Sequence, residues 1–145
     1  MKVLSLLLAM AAIPTMALAD GWTTSYSRAV SEARAGHKPI LMYFTGSDFC
    51  VWCKKLDRDV LEQPAFQQYA DRNLVLLKLD FPARKRQNPR ERQQNEELRM
   101  RYGVQGFPTL ILVEPGSRTA VEITGRRNPR SVIGEIERKG QRVRR

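Results

Sequence analysis

The chain has 145 residues, with 25 Lys+Arg against 15 Asp+Glu, a formal charge of +10 and a hydrophobic fraction of 42%. That is one domain's worth of sequence, and its long periodic apolar segments separate it from a disordered polybasic chain. Nine Gly without a period, no sustained heptad and only two Cys exclude collagen-like, coiled-coil and disulfide-scaffold classes.

In chain order, the first segment reads as a secretory leader. Lys2 supplies a minimal positive region, residues 3–12 are apolar, and Ala17-Leu18-Ala19 places small residues at both positions of a cleavage site. Pro14 interrupts the apolar run, which favours a cleaved leader over an uncleaved anchor. The expected division is a leader over 1–19, a domain over 20–140 and a basic tail over 141–145. No later stretch is long and apolar enough to span a bilayer, so a soluble protein in an exported, oxidising compartment such as a periplasm is expected.

Tyr26, Ala29, Val30 and Ala33 recur at helical spacing, with Thr23 or Thr24 as a cap and Gly36 as a stop. Ile40-Leu41-Met42-Tyr43-Phe44 is a continuous apolar run, the pattern of a strand covered on both faces. Thr45-Gly46-Ser47-Asp48 is a loop with cap-like residues, and a helix begins near Cys50 with Val51, Leu56, Val60 and Leu61 as its apolar positions. Pro64 opens another helix through Phe66 and Tyr69, and residues 74–79 form a second buried strand. Residues 83–95, rich in Arg, Lys, Gln and Asn, read as an exposed loop; a helix follows over 96–102, stopped by Gly103. Two strands, 109–113 and 120–124, flank turn residues Glu114-Pro115-Gly116-Ser117, and Pro129 starts a last helix with Val132, Ile133 and Ile136 inward. This order predicts an α/β fold, a mixed sheet of four or five strands with helices on both faces.

Both cysteines lie in Cys50-Val51-Trp52-Cys53. A cross-link that closes so short a loop removes little chain entropy, so a structural staple explains it poorly. Half of a zinc site and a redox-cycling dithiol are the other uses of this spacing. Zinc needs four ligands, and beyond the two thiols the chain offers His37 as its only imidazole; no metal is expected. Redox cycling fits the flanks. A thiol at a helix N-terminus meets unpaired N–H groups and the positive dipole end, which favour thiolate. Cys50 is then the exposed nucleophile, and Cys53, one turn on, resolves the mixed disulfide.

The order of elements from about Trp22 to Lys139 resembles the thioredoxin fold. The resemblance rests on Cys50-Val51-Trp52-Cys53-Lys54 after an apolar strand, Gly106-Phe107-Pro108-Thr109 opening a later strand, and Gly125 before the last helix. Phe44-Thr45-Gly46-Ser47-Asp48-Phe49-Cys50 and Asp80-Phe81-Pro82 are similar to exported thioredoxin-like proteins of the disulfide-reductase type, including the C-terminal domain of membrane thiol:disulfide interchange proteins. The resemblance implies a redox-active Cys50–Cys53 disulfide, a cis Pro108 facing it, and no cofactor beyond the dithiol. It also departs from thioredoxin in two places: Val-Trp replaces Gly-Pro between the cysteines, and Tyr43 or Phe44 stands where thioredoxin buries a proton-accepting Asp.

A cis bond at Pro108 frees nearby backbone groups to pair with an extended substrate, and Phe49, Trp52 and Phe107 are apolar groups suited to unfolded or peptide partners. Lys54 and Lys55 either add positive potential near Cys50 or solvate the helix, and His37 reads as a surface loop residue. Arg84-Lys85-Arg86 with Arg90 and Arg92 lacks interleaved aromatics, so an acidic partner or solvent fits better than nucleic acid. The expected activity is thiol:disulfide exchange with protein disulfides or thiols by a monomer, as a reductant, with a membrane thiol:disulfide protein as a candidate electron donor. A non-catalytic thioredoxin-like binding module and thiolate-based transfer of a soft metal are the competing readings.

Overall fold

The computed structural model describes residues 21–117, 119–125 and 128–144. The expected leader over 1–19 lies outside the described residues, as does Arg145 of the expected tail. The chain forms β1 (Trp22–Thr23), α1 (Tyr26–Gly36), β2 (Ile40–Thr45), α2 (Val51–Leu56), a π-helical turn (Asp57–Leu61), α3 (Pro64–Asn73), β3 (Val75–Asp80), α4 (Pro89–Arg101), β4 (Thr109–Val113), β5 (Ala120–Ile123) and α5 (Pro129–Val143).

The five strands make one sheet in the order β1-β3-β2-β4-β5. Strand β2 is central, parallel to β3 (Thr45 opposite Asp80) and antiparallel to β4 (Phe44 opposite Thr109). All six of its residues are buried, as a strand covered on both faces requires. Its alternation divides the core in two. Leu41 and Tyr43 point toward Leu56, Val60 and Phe66 with Val132 and Ile136 of α5. Ile40, Met42 and Phe44 point the other way, toward Ala29 and Ala33 of α1 and Leu98 of α4. The mixed sheet with helices on both faces is therefore present, with five strands.

Four details depart from the sequence reading. The strand β1 is two residues long, too short to carry a periodic signal, and pairs through Trp22 opposite Leu76. Helix α1 is capped by Ser25, whose Oγ accepts the Arg28 N–H at 3.3 Å, while Thr23 Oγ1 accepts the Ser25 N–H instead; His37, at φ 51°, takes the left-handed turn after Gly36. Helix α4 begins at Pro89, seven residues before its expected start, because Asn88 caps it and Pro89 occupies its first turn. Only Asn95 and Leu98 of that helix are buried, so its polar first half carries no apolar stripe to read. Helix α5 continues to Val143, whose side chain is 1% exposed, so most of the residues expected as a tail are helical.

Candidate active site

The site sits at the end of the sheet where β2 and β3 finish and β4 begins. The loop from Gly46 leads the chain off β2 and into α2, and Gly46 O accepts the Cys50 N–H at 2.9 Å. Cys50 itself is the N-cap of α2: its Sγ accepts the N–H of Cys53 at 3.1 Å. Sulfur in the capping position receives one of the helix's unpaired donors, the arrangement that favours a thiolate there in the reduced protein. Cys50 and Cys53 are joined by a disulfide. Cys50 is 8% exposed and Cys53 is fully buried, so the first cysteine is the one with a face toward solvent, although it is far less open than the sequence reading expects. In the loop before it, the Phe49 ring lies over Gly46, where a Cβ would stand 2.5 Å from the ring atoms.

The cap-like residues before Cys50 do something other than cap. Ser47 binds Asp80 at the end of β3, through N–H to Oδ1 at 2.9 Å and Oγ to Oδ2 at 2.6 Å. Asp48 accepts three successive backbone N–H groups, from Ala83 at 2.9 Å, Arg84 at 2.7 Å and Lys85 at 2.9 Å. The N–H of Ala83 holds the Asp48 carboxyl down at about 2; desolvation opposes it, and the N–H groups of Arg84 and Lys85 add to the lowering. Sequence reasoning missed this clasp. Its signal is present only as a lone Asp two residues before a cysteine, which by itself points nowhere.

Beneath the disulfide, Tyr43 of β2 donates its hydroxyl to Cys53 O at 3.3 Å, a carbonyl that also accepts the N–H of Asp57. Burial pushes the Tyr43 phenol well above its usual range. Asp57 enters the same region from the helix side. Burial raises its carboxyl above the ordinary aspartate value, and the neighbouring Tyr43 hydroxyl and Lys78 offset part of that rise. Tyr43 thus brings a phenol to this region from β2, and Asp57 brings a carboxyl from the turn after Cys53.

Of the remaining predicted residues, Phe49 and Phe107 are brought together, edge to face at 6.4 Å, and the row continues inward through Phe81 (5.0 Å from Phe107) to Phe44. The Phe107–Pro108 peptide is cis. Trp52 is 69% exposed and, among the described residues, joins no other ring. Lys55 pairs with Asp59 at 2.5 Å, whereas among the described residues Lys54 forms no ion pair. Among the described residues no group of three or more His, Cys, Asp or Glu side chains comes together, and no helix is long and apolar enough to cross a membrane.

Strands β2 to β5 of the mixed sheet, with the helix-capping Cys-x-x-Cys at the end of the central strand, lie within residues 26–138, which match the family described as the Thioredoxin-like domain. The chain belongs to that thioredoxin-like family. It is 39% identical over 90 residues to the disulfide bond reductase DsbH of Chlamydia pneumoniae, covering 62% of this chain and 54% of that protein. Over 119 residues it is 32% identical to thiol:disulfide interchange protein DsbD 1 of Pseudomonas aeruginosa, covering 81% of this chain but 17% of that protein. The chain thus spans about half or less of the curated relatives it matches. Among solved structures, a DsbH oxidoreductase aligns with a TM-score of 0.65 at 32% identity, over 83% of this chain and 81% of that one. The oxidised C-terminal domain of Neisseria meningitidis DsbD aligns at 0.60 and 20% identity, over 77% and 90%, a likeness of fold.

Proposed function

We propose that this protein is an exported thiol:disulfide oxidoreductase that reduces disulfides in other proteins through Cys50 and Cys53. The observation that carries the reading is the position of Cys50 Sγ, capping α2 and accepting the Cys53 N–H at 3.1 Å. In the reduced protein Cys50 thiolate attacks one sulfur of a substrate disulfide, and the other substrate sulfur leaves as a thiolate. Cys53, deprotonated, then attacks Cys50 Sγ and releases the second substrate thiolate. Two electrons pass to the substrate, which takes up two protons, and the Cys50–Cys53 disulfide forms. No cofactor enters either step. The relative named as a disulfide bond reductase supports this direction of transfer, and the one named as a thiol:disulfide interchange protein supports the exchange chemistry. A membrane thiol:disulfide protein is the class of donor that recharges the pair in an exported compartment.

Phe49, next to Cys50 in the chain, meets Phe107 edge to face, and we assign these two rings, the backbone around Pro108 and the exposed Trp52 to hold an extended substrate segment. The test is reduction of insulin-type disulfides by the reduced protein. Turnover that disappears in Cys50→Ser, with mixed disulfides accumulating in Cys53→Ser, supports the reading. Undiminished partner binding with no turnover in the native protein overturns it in favour of a non-catalytic binding module.

A further inference from the structure

The segment from Ala83 to Arg92 carries Arg84, Lys85, Arg86, Arg90 and Arg92 against Glu91 alone. All five basic residues are exposed, and among the described residues none forms an ion pair. A basic run on a loop is ordinarily a solvated face with no fixed relation to a site. Here the relation is fixed. Asp48 gathers the N–H groups of Ala83, Arg84 and Lys85, and the chain reaches Cys50 two residues later. Gln87 and Asn95 both donate to Asp80 O at 2.9 Å, and Asp80 also holds Ser47, so the loop is tied at its other end to the same β2 exit. Phe81, at the loop's entrance, stacks on Phe107. The carboxylates drawn into the contact are taken up within it: Asp48 by the three backbone donors, Asp80 by Ser47, and Glu91 by Gln87 at 3.4 Å.

Next to this cationic ridge stand the exposed apolar side chains Phe49, Val51 and Trp52. Apolar contact around a sulfur gives attraction at short range, and an unpaired positive ridge gives attraction at long range and a preference of orientation. We propose that the ridge and the apolar rim form one docking surface for an acidic protein segment that delivers its disulfide to Cys50. The inference rests on the exchange activity proposed above and adds to it the chemical class of the favoured substrate. A partner with carboxylates flanking its disulfide is steered onto the ridge; a neutral one meets the rim alone.

The experiment uses two disulfide-bridged peptides of one sequence, flanked by several Glu or several Gln, reduced by the pre-reduced protein. At an ionic strength of about 20 mM the Glu peptide is expected to react roughly tenfold faster, and the ratio is expected to approach one at roughly 0.5 M salt. Combined Arg84→Gln, Lys85→Gln and Arg86→Gln lowers that ratio severalfold, while Arg34→Gln, Arg72→Gln and Arg142→Gln, at the far end of the molecule, leave it unchanged. Asp48→Asn separates a fixed ridge from net charge: it makes the protein more positive yet lowers the ratio, because the loop is released. No reaction with either peptide overturns the exchange reading. Reaction with both at equal rates, an equal loss in the far-end variant, or a raised ratio in Asp48→Asn overturns the docking surface alone. Equal rates accompanied by loop-dependent binding to vesicles of anionic lipid replace the acidic segment with a membrane surface.

Discussion

The two cysteines are chemically alike and structurally unequal. Cys50 retains 8% exposure and receives a helix-end N–H, whereas Cys53 is enclosed by Tyr43 below and the turn above. Limiting alkylating reagent applied to the reduced protein should label Cys50 first, and thiolate absorbance of Cys53→Ser should give a Cys50 pKa below the free-thiol value of about 8.5. Preferential labelling of Cys53 would reverse the two roles. Asp57 answers to a different measurement. Burial raises its pKa in the folded chain above 3.8, so the folded state favours the neutral acid. The stability this confers is present below pH 3.8 and is lost as pH rises through the raised value. Asp57→Asn should therefore unfold at a higher temperature than the native protein at neutral pH, with the gap closing below pH 3.8. A gap independent of pH would assign the effect to packing.

At the scale of elements, the join between β5 and α5 is held by one buried carboxylate. Glu135, 5% exposed, accepts the Thr124 N–H at 3.0 Å, the Thr124 hydroxyl at 3.1 Å and the Gly125 N–H at 2.5 Å, and pairs with Lys139. A Cβ at Gly125 would lie 2.8 Å from that carboxylate, which explains a glycine at this place. Burial opposes ionisation, but Lys139 and the donors of Gly125 and Thr124 outweigh it and bring the pKa from 4.5 to about 2. A depressed pKa gives stability that is whole above pH 4.5 and lost as pH falls toward 2. Glu135→Gln should cost on the order of 2 kcal/mol at neutral pH and much less near pH 2, read by urea unfolding at both. The glycine was legible in the sequence as a mark of the fold, but its carboxylate partner ten residues on was not. Helix α4 was half legible for a similar reason: Leu98 and the Gly103 stop signal its last turns, while its Asn88 cap and charged first turns, which carry no apolar period, read as loop.

For the molecule as a whole, one strand serves two cores. Leu41 and Met42 are adjacent in sequence, fully buried, and belong to opposite faces of β2. Truncating either to Ala should cost about 2 to 5 kcal/mol, and either variant should still unfold in a single transition, because β2 hydrogen-bonds to both of its neighbours. Separate transitions by fluorescence and far-ultraviolet dichroism would mean the two layers unfold independently. This division follows from continuous apolar runs, so the sheet, the helices on both faces and the dithiol at the strand end were all readable. What surrounds the dithiol was not. The Asp48 clasp, the Ser47–Asp80 bonds and the Tyr43–Asp57 pair join residues far apart in the chain, and no local period encodes such meetings.

The two tryptophans give the protein its own optical record of electron transfer. Trp22 is packed 5.8 Å from Tyr43 beside the inner core, while Trp52 stands in water one residue from Cys53. Indole emission beside a disulfide is quenched and recovers when the sulfurs separate, so the red-shifted, solvent-exposed part of the spectrum should brighten on reduction. Trp52→Phe should erase that change while leaving the blue-shifted emission of Trp22 in place. Each turnover would then be visible as light from one side chain, without any label.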